Sequence, residues 1–355
     1  QDLRDDFVDK TLGVTDNLDE AHLIDGYAKF VANDTIEVNG EQNRAKAIVI
    51  ATGSSPIITH DWQDFADDVV TTDDFFELEE LPASIVVIGL GSIGLEVGQS
   101  LHGLGVVVTS VDQLNCLAYL EDELVNEGAL AVMSREFPMF LGEPARLAKT
   151  EGGIQVTAGE HSAVVEKVLA SLGRRPNLAS LELAATDVVL DDNGIPVFDP
   201  LTMQVGDLPI YIAGDVNADK PILHEAGHEG RVAGYNAVRF AVGGQAGQPF
   251  RRKTALAITF CDPNIATVGA QLSELDEDSI AIGEMQFAPV GRALIIGKNR
   301  GLLRLYVRKS DGKLLGAAMC CVKAENLAHL IAWSIQNEMT VFDMLKMPFY
   351  HPVIE

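Results

Sequence analysis

The chain has 355 residues, 47% of them hydrophobic and 22% charged, with a formal net charge of −26. That apolar content excludes a disordered chain, and the length predicts two or three domains. So acidic a surface excludes nucleic acid and anionic membrane as partners, since both require basic patches.

Residues 1–25 read as the end of a helix and a connector. The chain opens on Gln1 rather than Met and closes on Glu355 shortly after a proline turn, so both ends are expected to be cut. Residues 26–39 predict a small antiparallel unit, with a turn at Asn33-Asp34 and a further turn signal at Asn39-Gly40. Residues 45–50 then form a buried strand that runs into Ala51-Thr52-Gly53-Ser54-Ser55-Pro56, where Gly53 lets backbone approach a ligand. Residues 57–81 are an acidic connector.

The most informative stretch follows. Residues 85–88 are a β-branched run suited to a parallel strand buried on both faces. Gly89 permits a tight turn, Gly91 leaves room for a pyrophosphate, and Gly94 lets the next helix pack close to the strand. Ile93 lies within the same turn. The helix runs to about His102, and its N-terminus points unpaired N–H groups at the phosphate. A second strand at 106–111 ends in Asp112, 18 residues after Gly94. A carboxylate there accepts hydrogen bonds from ribose hydroxyls and repels a 2′-phosphate. No Arg stands within the next ten residues to receive one, so NAD is expected rather than NADP.

A strand at 167–170 leads into Gly173-Arg174-Arg175-Pro176-Asn177, and an apolar strand at 208–213 ends in Gly214-Asp215. A helix from about His224 to Ala241 is rich in Gly and Ala and is expected to pack closely. His224 and His228 are one helical turn apart, but no third ligand motif accompanies them, so packing is expected and no metal site. After a glycine-rich linker at 243–248, residues 254–333 read as strands and hairpins with turns at Asp262-Pro263-Asn264 and Ser310-Asp311-Gly312, and residues 324–337 as an amphipathic helix. The four cysteines are Cys116, Cys261, Cys320 and Cys321, none with metal-ligand, C-x-x-C or C-x-x-x-x-C spacing. Cys320 and Cys321 lie on one strand, face opposite sides and are expected to be packed thiols. With no signal peptide and no apolar run of about 18 residues, the expected location is cytoplasmic.

Six motifs occur in one order: Ala51-Thr52-Gly53-Ser54-x-Pro56, the G-x-G-x-x-G-x-E of Gly89 to Glu96, Gly173-Arg174-x-Pro176-Asn177, Ala213-Gly214-Asp215, Phe260-x-Asp262-Pro263-x-Ile265-Ala266-x-Val268-Gly269, and His351-Pro352. In these the chain resembles the flavin-dependent pyridine nucleotide–disulfide oxidoreductase family over essentially its whole length, and within it the dihydrolipoamide dehydrogenases. The resemblance implies an α/β chain with two Rossmann-like domains, the FAD one incomplete, and an α+β C-terminal dimerisation domain. The implied divisions are 1–81 with 201–245 for FAD, 82–200 for NAD and 246–355 for the homodimer interface.

It also implies roles. Gly89, Gly91, Ile93, Gly94, Asp112 and Gly173 bind NAD. Thr52, Gly53, Asp215, Pro221, Ile222, Leu223 and His224 bind FAD. Glu96 is the carboxylate beside the flavin, and His351 is the base that takes a proton from a dithiol. On the residues alone, Asp215 also reads as a turn or cap residue, Glu96 as a first-turn helix acid, and His351 as a surface or packing side chain. The substrate implied is a small dithiol or a lipoyl domain, with NAD as acceptor. The alternatives are a transhydrogenase-like or mercuric reductase-like flavoprotein, or a non-catalytic NAD-binding dimer.

The sequence departs from the family in two ways. The first glycine fingerprint and the redox C-x-x-x-x-C pair are absent, so the chain as written is expected to be inactive. Strands 48–51 and 210–214 are then expected to lack the strand between them, leaving buried backbone groups unpaired at ~1–3 kcal/mol each. The resemblance also expects the carboxylate partner of His351 just beyond Glu355, so that role is not assigned to Glu355.

Overall fold

The computed structural model describes residues 2–244 and 247–355. Two compact units emerge: 1–57 with 174–252, and 58–173 with 253–355. These follow packing, whereas the three divisions expected from the sequence follow motifs. We retain the three-part division as a proposal. Part of the linker expected at 243–248, residues 245 and 246, lies outside the described residues.

In the first unit the helix Asp2–Asp16 buries no residue. The antiparallel unit at 26–39 is present and gains a third strand, in the order Ala28–Ala32, Thr35–Val38, Glu41–Arg44. The two strands expected to be separated are in fact adjacent. Ile48–Ile50 pairs in parallel with Ile210–Ile212, matching Ile48 with Ile210 and Ile50 with Ile212. Ile48 N–H donates to the Pro209 carbonyl and Ala213 N–H to the Ile50 carbonyl, each within 3.0 Å. No strand is therefore missing between them, and the cost expected for unpaired backbone does not arise there. Ile210, Tyr211 and Ile212 are fully buried, and the helix Leu223–Ala241 packs Val232, Ala233 and Ala237 against Tyr211. The glycines of this helix do not provide close packing. A Cβ added at Gly227, Gly230 or Gly234 would have no described atom within 4 Å.

The second unit holds a five-stranded all-parallel sheet in the order Val69–Val70, Lys167–Ala170, Ser84–Ile88, Val107–Asp112, Met139–Leu141. Its first strand comes from the stretch read as an acidic connector, which also buries Trp62 and Phe75. The central strand is flanked on both sides, which is why its run is continuously apolar. Ile85 and Val87 join one core cluster, and Val86 and Ile88 another. The helices Ser92–Gly103 and Glu123–Met133 cover the first of these faces with Leu95, Leu101, Val125 and Met133.

The C-terminal residues fold as predicted into an antiparallel sheet, ordered Leu256–Thr259, Asn264–Gly269, Leu314–Cys321, Gly301–Arg308, Ile280–Gln286. The helix Ala324–Gln336 packs on it. Cys320 and Cys321 are both fully buried and belong to different core clusters, so the alternation of a strand places them as expected. The core is continuous across this unit: Ile265, Leu302, Tyr306 and Ala318 of the antiparallel sheet share a cluster with Leu95 and Met133. Among the described residues no helix is long and apolar enough to cross a membrane.

Candidate functional site

The dinucleotide turn is built by close approach of backbone to backbone. Gly89 has φ +95°, and a Cβ there would lie 2.2 Å from the Ser171 carbonyl oxygen. A Cβ at Gly94 would lie 1.9 Å from the Gly89 carbonyl oxygen. Gly91 is the N-cap of the helix Ser92–Gly103 and supplies no capping side chain, so the first-turn N–H groups are left for a ligand. Ile93 on that first turn is 41% exposed.

Asp112 ends the neighbouring strand, buried to 7% exposure. Its two carboxylate oxygens accept from Leu90 N–H and Leu114 N–H. The carboxylate is thus locked beside the turn, and each oxygen keeps a second lone pair for a ribose hydroxyl. Gly173 closes the segment at φ +91°. The glycine cradle and carboxylate fit the pyrophosphate and ribose of a dinucleotide.

Glu96 lies on the same helix. Its Oε1 accepts from Phe260 N–H at 2.8 Å. Ser92 bonds the Thr259 hydroxyl at 2.7 Å, and the Gln99 amide bonds both N–H and carbonyl of Asp262. One helix face therefore holds the 259–262 turn, and this is where the structure places the expected flavin-adjacent carboxylate.

In the first unit Thr52 and Asp215, two of the residues expected around FAD, are each hydrogen-bonded to a neighbouring segment. Ser54 Oγ donates to Asp215 Oδ2 at 2.9 Å, and Arg174 Nε donates to Ser54 Oγ at 2.9 Å. Thr52 and Asn177 exchange hydrogen bonds, Thr52 Oγ1 to the Asn177 carbonyl and the Asn177 amide to the Thr52 carbonyl. Gly53 has φ +66°, and nothing lies within 4 Å of where its Cβ would be. An open glycine beside an oriented carboxylate fits the hydroxyl-bearing half of a flavin nucleotide. Pro221, Ile222, Leu223 and His224 lie exposed at the start of the helix Leu223–Ala241. His351 and Glu355 are exposed in the C-terminal segment. No group of three or more potential metal ligands occurs among the described residues.

Sequence reasoning missed a buried carboxylate pair behind Asp215. Glu229 accepts from Gly214 N–H at 2.9 Å and from the Asn217 amide at 2.7 Å, which holds the Gly214–Asp215 turn. Arg252 reaches Glu229 at 2.7 Å, Asp219 at 3.1 Å and Glu225 at 3.4 Å. The signal was present: like charges at i and i+4 on one helix face are unfavourable unless a cation sits between them.

The four cysteines are all free. Burial pushes the Cys261 thiol up to about 12 and raises Cys320 and Cys321 well above the usual thiol range. Cys116 is raised by partial burial and the charges of Asp112 and Glu121. Reactive thiols need the opposite shift. Ellman's reagent at mildly alkaline pH is therefore expected to label the folded chain slowly, at Cys116 alone, and all four sites after denaturation. Rapid labelling of two or more would refute it. The native state holds these protons more tightly than the unfolded chain, so their contribution is complete below the ordinary thiol pKa of ~8.5 and is lost as pH rises toward about 12.

A sequence profile described as pyridine nucleotide-disulphide oxidoreductase matches residues 9–239, and the corresponding dimerisation-domain profile matches 256–355. A dihydrolipoyl dehydrogenase of Staphylococcus aureus is 28% identical over 375 aligned positions, covering 100% of this chain and 77% of the relative. A mercuric reductase of the same organism is 28% identical over 330, covering 91% of this chain. The chain spans 59% of that mercuric reductase's length and 51% of one from Bacillus cereus. Among solved structures, an HOCl-induced flavoprotein disulfide reductase of Escherichia coli superposes with a TM-score of 0.80 at 22% identity, covering 93% of this chain and 76% of the other.

Proposed function

Because the chain belongs to the pyridine nucleotide–disulphide oxidoreductase family, which uses FAD and NAD(P), we propose that it serves FAD-dependent oxidation of a dithiol with NAD as acceptor, in the manner of a dihydrolipoamide dehydrogenase. The observation that carries the choice of NAD is the buried Asp112 carboxylate fixed beside the glycine turn. In this reading the helix Ser92–Gly103 neutralises the pyrophosphate, Asp112 accepts the ribose hydroxyls, and Gly173 borders the nicotinamide half. Thr52, Gly53, Asp215 and residues 221–224 hold FAD, which supplies two-electron transfer between thiol and nicotinamide. We assign Glu96, which accepts from Phe260 N–H, the role of the flavin-adjacent carboxylate.

His351 takes the thiol proton, a role suited to an imidazole, whose ring nitrogen can accept a proton and give it back. None of the four raised, mostly buried thiols suits disulfide exchange, so these 355 residues alone bind nucleotide without turning over a dithiol. We place the protein in the cytoplasm as a homodimer. Exposed Trp333, Phe342, Leu345 and Tyr350 in the region matching the dimerisation profile support that assembly.

The test joins binding to turnover. NADH is expected to bind the chain at least tenfold more tightly than NADPH, and Asp112→Asn to erase most of that preference, since a hydrogen bond to a charged group is worth ~1.5–3 kcal/mol. Equal affinity for both nucleotides in the unsubstituted chain overturns the NAD assignment. The protein as the cell makes it, loaded with FAD, is expected to form NADH from dihydrolipoamide. Reduction of Hg(II) without dihydrolipoamide oxidation would replace the substrate class. Sedimentation of the same preparation as monomer alone removes the dimer.

A further inference from the structure

One side chain at the dinucleotide turn is accounted for by neither the glycine pattern nor the family motifs. Ala118 and Tyr119 are consecutive non-glycine residues in the left-handed region, at φ +48° and +58°. Such residues persist only where the surroundings hold them, and they gather at ligand sites. Here the surroundings are explicit. Ala118 N–H donates to the Leu90 carbonyl at 2.9 Å, inside the glycine turn itself. Leu117 N–H donates to Asn126 Oδ1 at 3.0 Å, and Leu117 and Leu120 are buried at 0% and 2% exposure.

The loop is pinned on both sides of Tyr119, which is itself 57% exposed and turned out from the core. Its ring nevertheless lies against the turn. A Cβ on Gly91 would meet Tyr119 Cε2 at 3.1 Å and Oη at 3.3 Å. The phenol is also near enough to Asp112 to feel its charge. Burial first, and Asp112 second, hold it above the usual tyrosine value, so at neutral pH it carries its proton and is a donor.

We propose that Tyr119 is a nucleotide-contacting residue: the pinned loop presents its phenol O–H to a phosphate oxygen of the dinucleotide seated at the Gly89, Gly91 and Gly94 turn, and its ring covers that turn. This rests on the NAD reading above. It adds a side-chain donor to a phosphate site otherwise made of backbone, and O–H to ionised oxygen is among the stronger hydrogen bonds. A Cβ at position 91 would also press on the ring.

The test is calorimetric titration of the full chain with NADH and with ADP, in the unsubstituted form, Tyr119→Phe and Tyr119→Ala. Tyr119→Phe removes one oxygen and keeps the ring. It is expected to weaken both ligands about tenfold and to leave the melting temperature of the unliganded chain unchanged. Tyr119→Ala is expected to weaken both at least as much. Unchanged ADP affinity in Tyr119→Phe overturns the proposal. Tighter binding by Tyr119→Ala does so too, because the ring would then be an obstruction. A lower unliganded melting temperature in Tyr119→Phe gives the phenol a structural role instead. If the unsubstituted chain binds neither ligand, the NAD reading itself fails.

Discussion

Asp122→Ala is expected to destabilise the folded chain by about 3–5 kcal/mol, the range seen when one partner of a buried ion pair is removed. Asp122 is 1% exposed and serves two elements at once. It is the N-cap of the helix Glu123–Met133, accepting from Val125 N–H at 3.3 Å. It also receives Arg304 Nη1 at 2.7 and 2.8 Å and Tyr306 Oη at 2.7 Å from the antiparallel sheet. Burial and the Asp122 charge raise the Tyr306 phenol, so it stays protonated and donates. Alanine leaves a guanidinium with only 14% side-chain exposure whose other acidic partner among the described residues is Glu284 at 3.6 Å, and a buried phenol without its acceptor. Loss of the cap adds ~1 kcal/mol. Urea unfolding checks this through a lower midpoint at unchanged slope. Asp122→Leu combined with Arg304→Met is expected to recover most of the loss, because two apolar partners leave no buried charge. A loss below about 1 kcal/mol in Asp122→Ala contradicts the account.

The contrast between what the sequence disclosed and what it withheld follows the range of the interactions. The glycine turn was legible because its requirements are local: a β-branched run, glycines where a Cβ would collide, and a carboxylate at the next strand end. The C-terminal hairpins were legible for the same reason, since Asp262-Pro263-Asn264 and Ser310-Asp311-Gly312 allow few other conformations. Strand neighbours are not local. Nothing in residues 48–50 announces that their partner is 210–212, and a strand was wrongly inserted between them. Val69–Val70 is two residues long inside an acidic stretch, too short for any periodicity to show. The Asp122–Arg304 contact joins residues 182 apart, and in the sequence Asp122 is one of several acids in a row. Tyr119 escaped notice because its interest lies in backbone conformation and proximity to Gly91, and a linear pattern carries neither.

Gly94→Ala is expected to lower NADH affinity by two decades or more and to destabilise the chain, whereas Gly98→Ala, one turn further along the same helix, is expected to retain binding. At Gly94 the new Cβ falls 1.9 Å from the Gly89 carbonyl oxygen and 3.3 Å from Ser171 Cβ. The obstacle is backbone, so no rotamer relieves it. Gly89 cannot retreat either: its N–H is bonded to the Val111 carbonyl at 2.8 Å, and its own Cα faces the Ser171 carbonyl. The helix must therefore swing off the strand Ser84–Ile88, against Leu95 and Leu101 buried at 0% and 1% exposure. Overpacking of this kind costs ~1–3 kcal/mol and sometimes more. The swing carries the first-turn N–H groups away from the pyrophosphate position, and losing about 2.7 kcal/mol of phosphate binding corresponds to the hundredfold expected. At Gly98 the added Cβ meets Val87 Cγ2 at 3.5 Å and Phe137 Cζ at 3.6 Å, ordinary contacts. Exchanging an interior helical glycine for alanine then favours the helix by up to ~1 kcal/mol. Thermal melts and NADH titration of the two variants separate these effects. Wild-type NADH affinity in Gly94→Ala would show that the closeness of helix and turn is not what makes the nucleotide site.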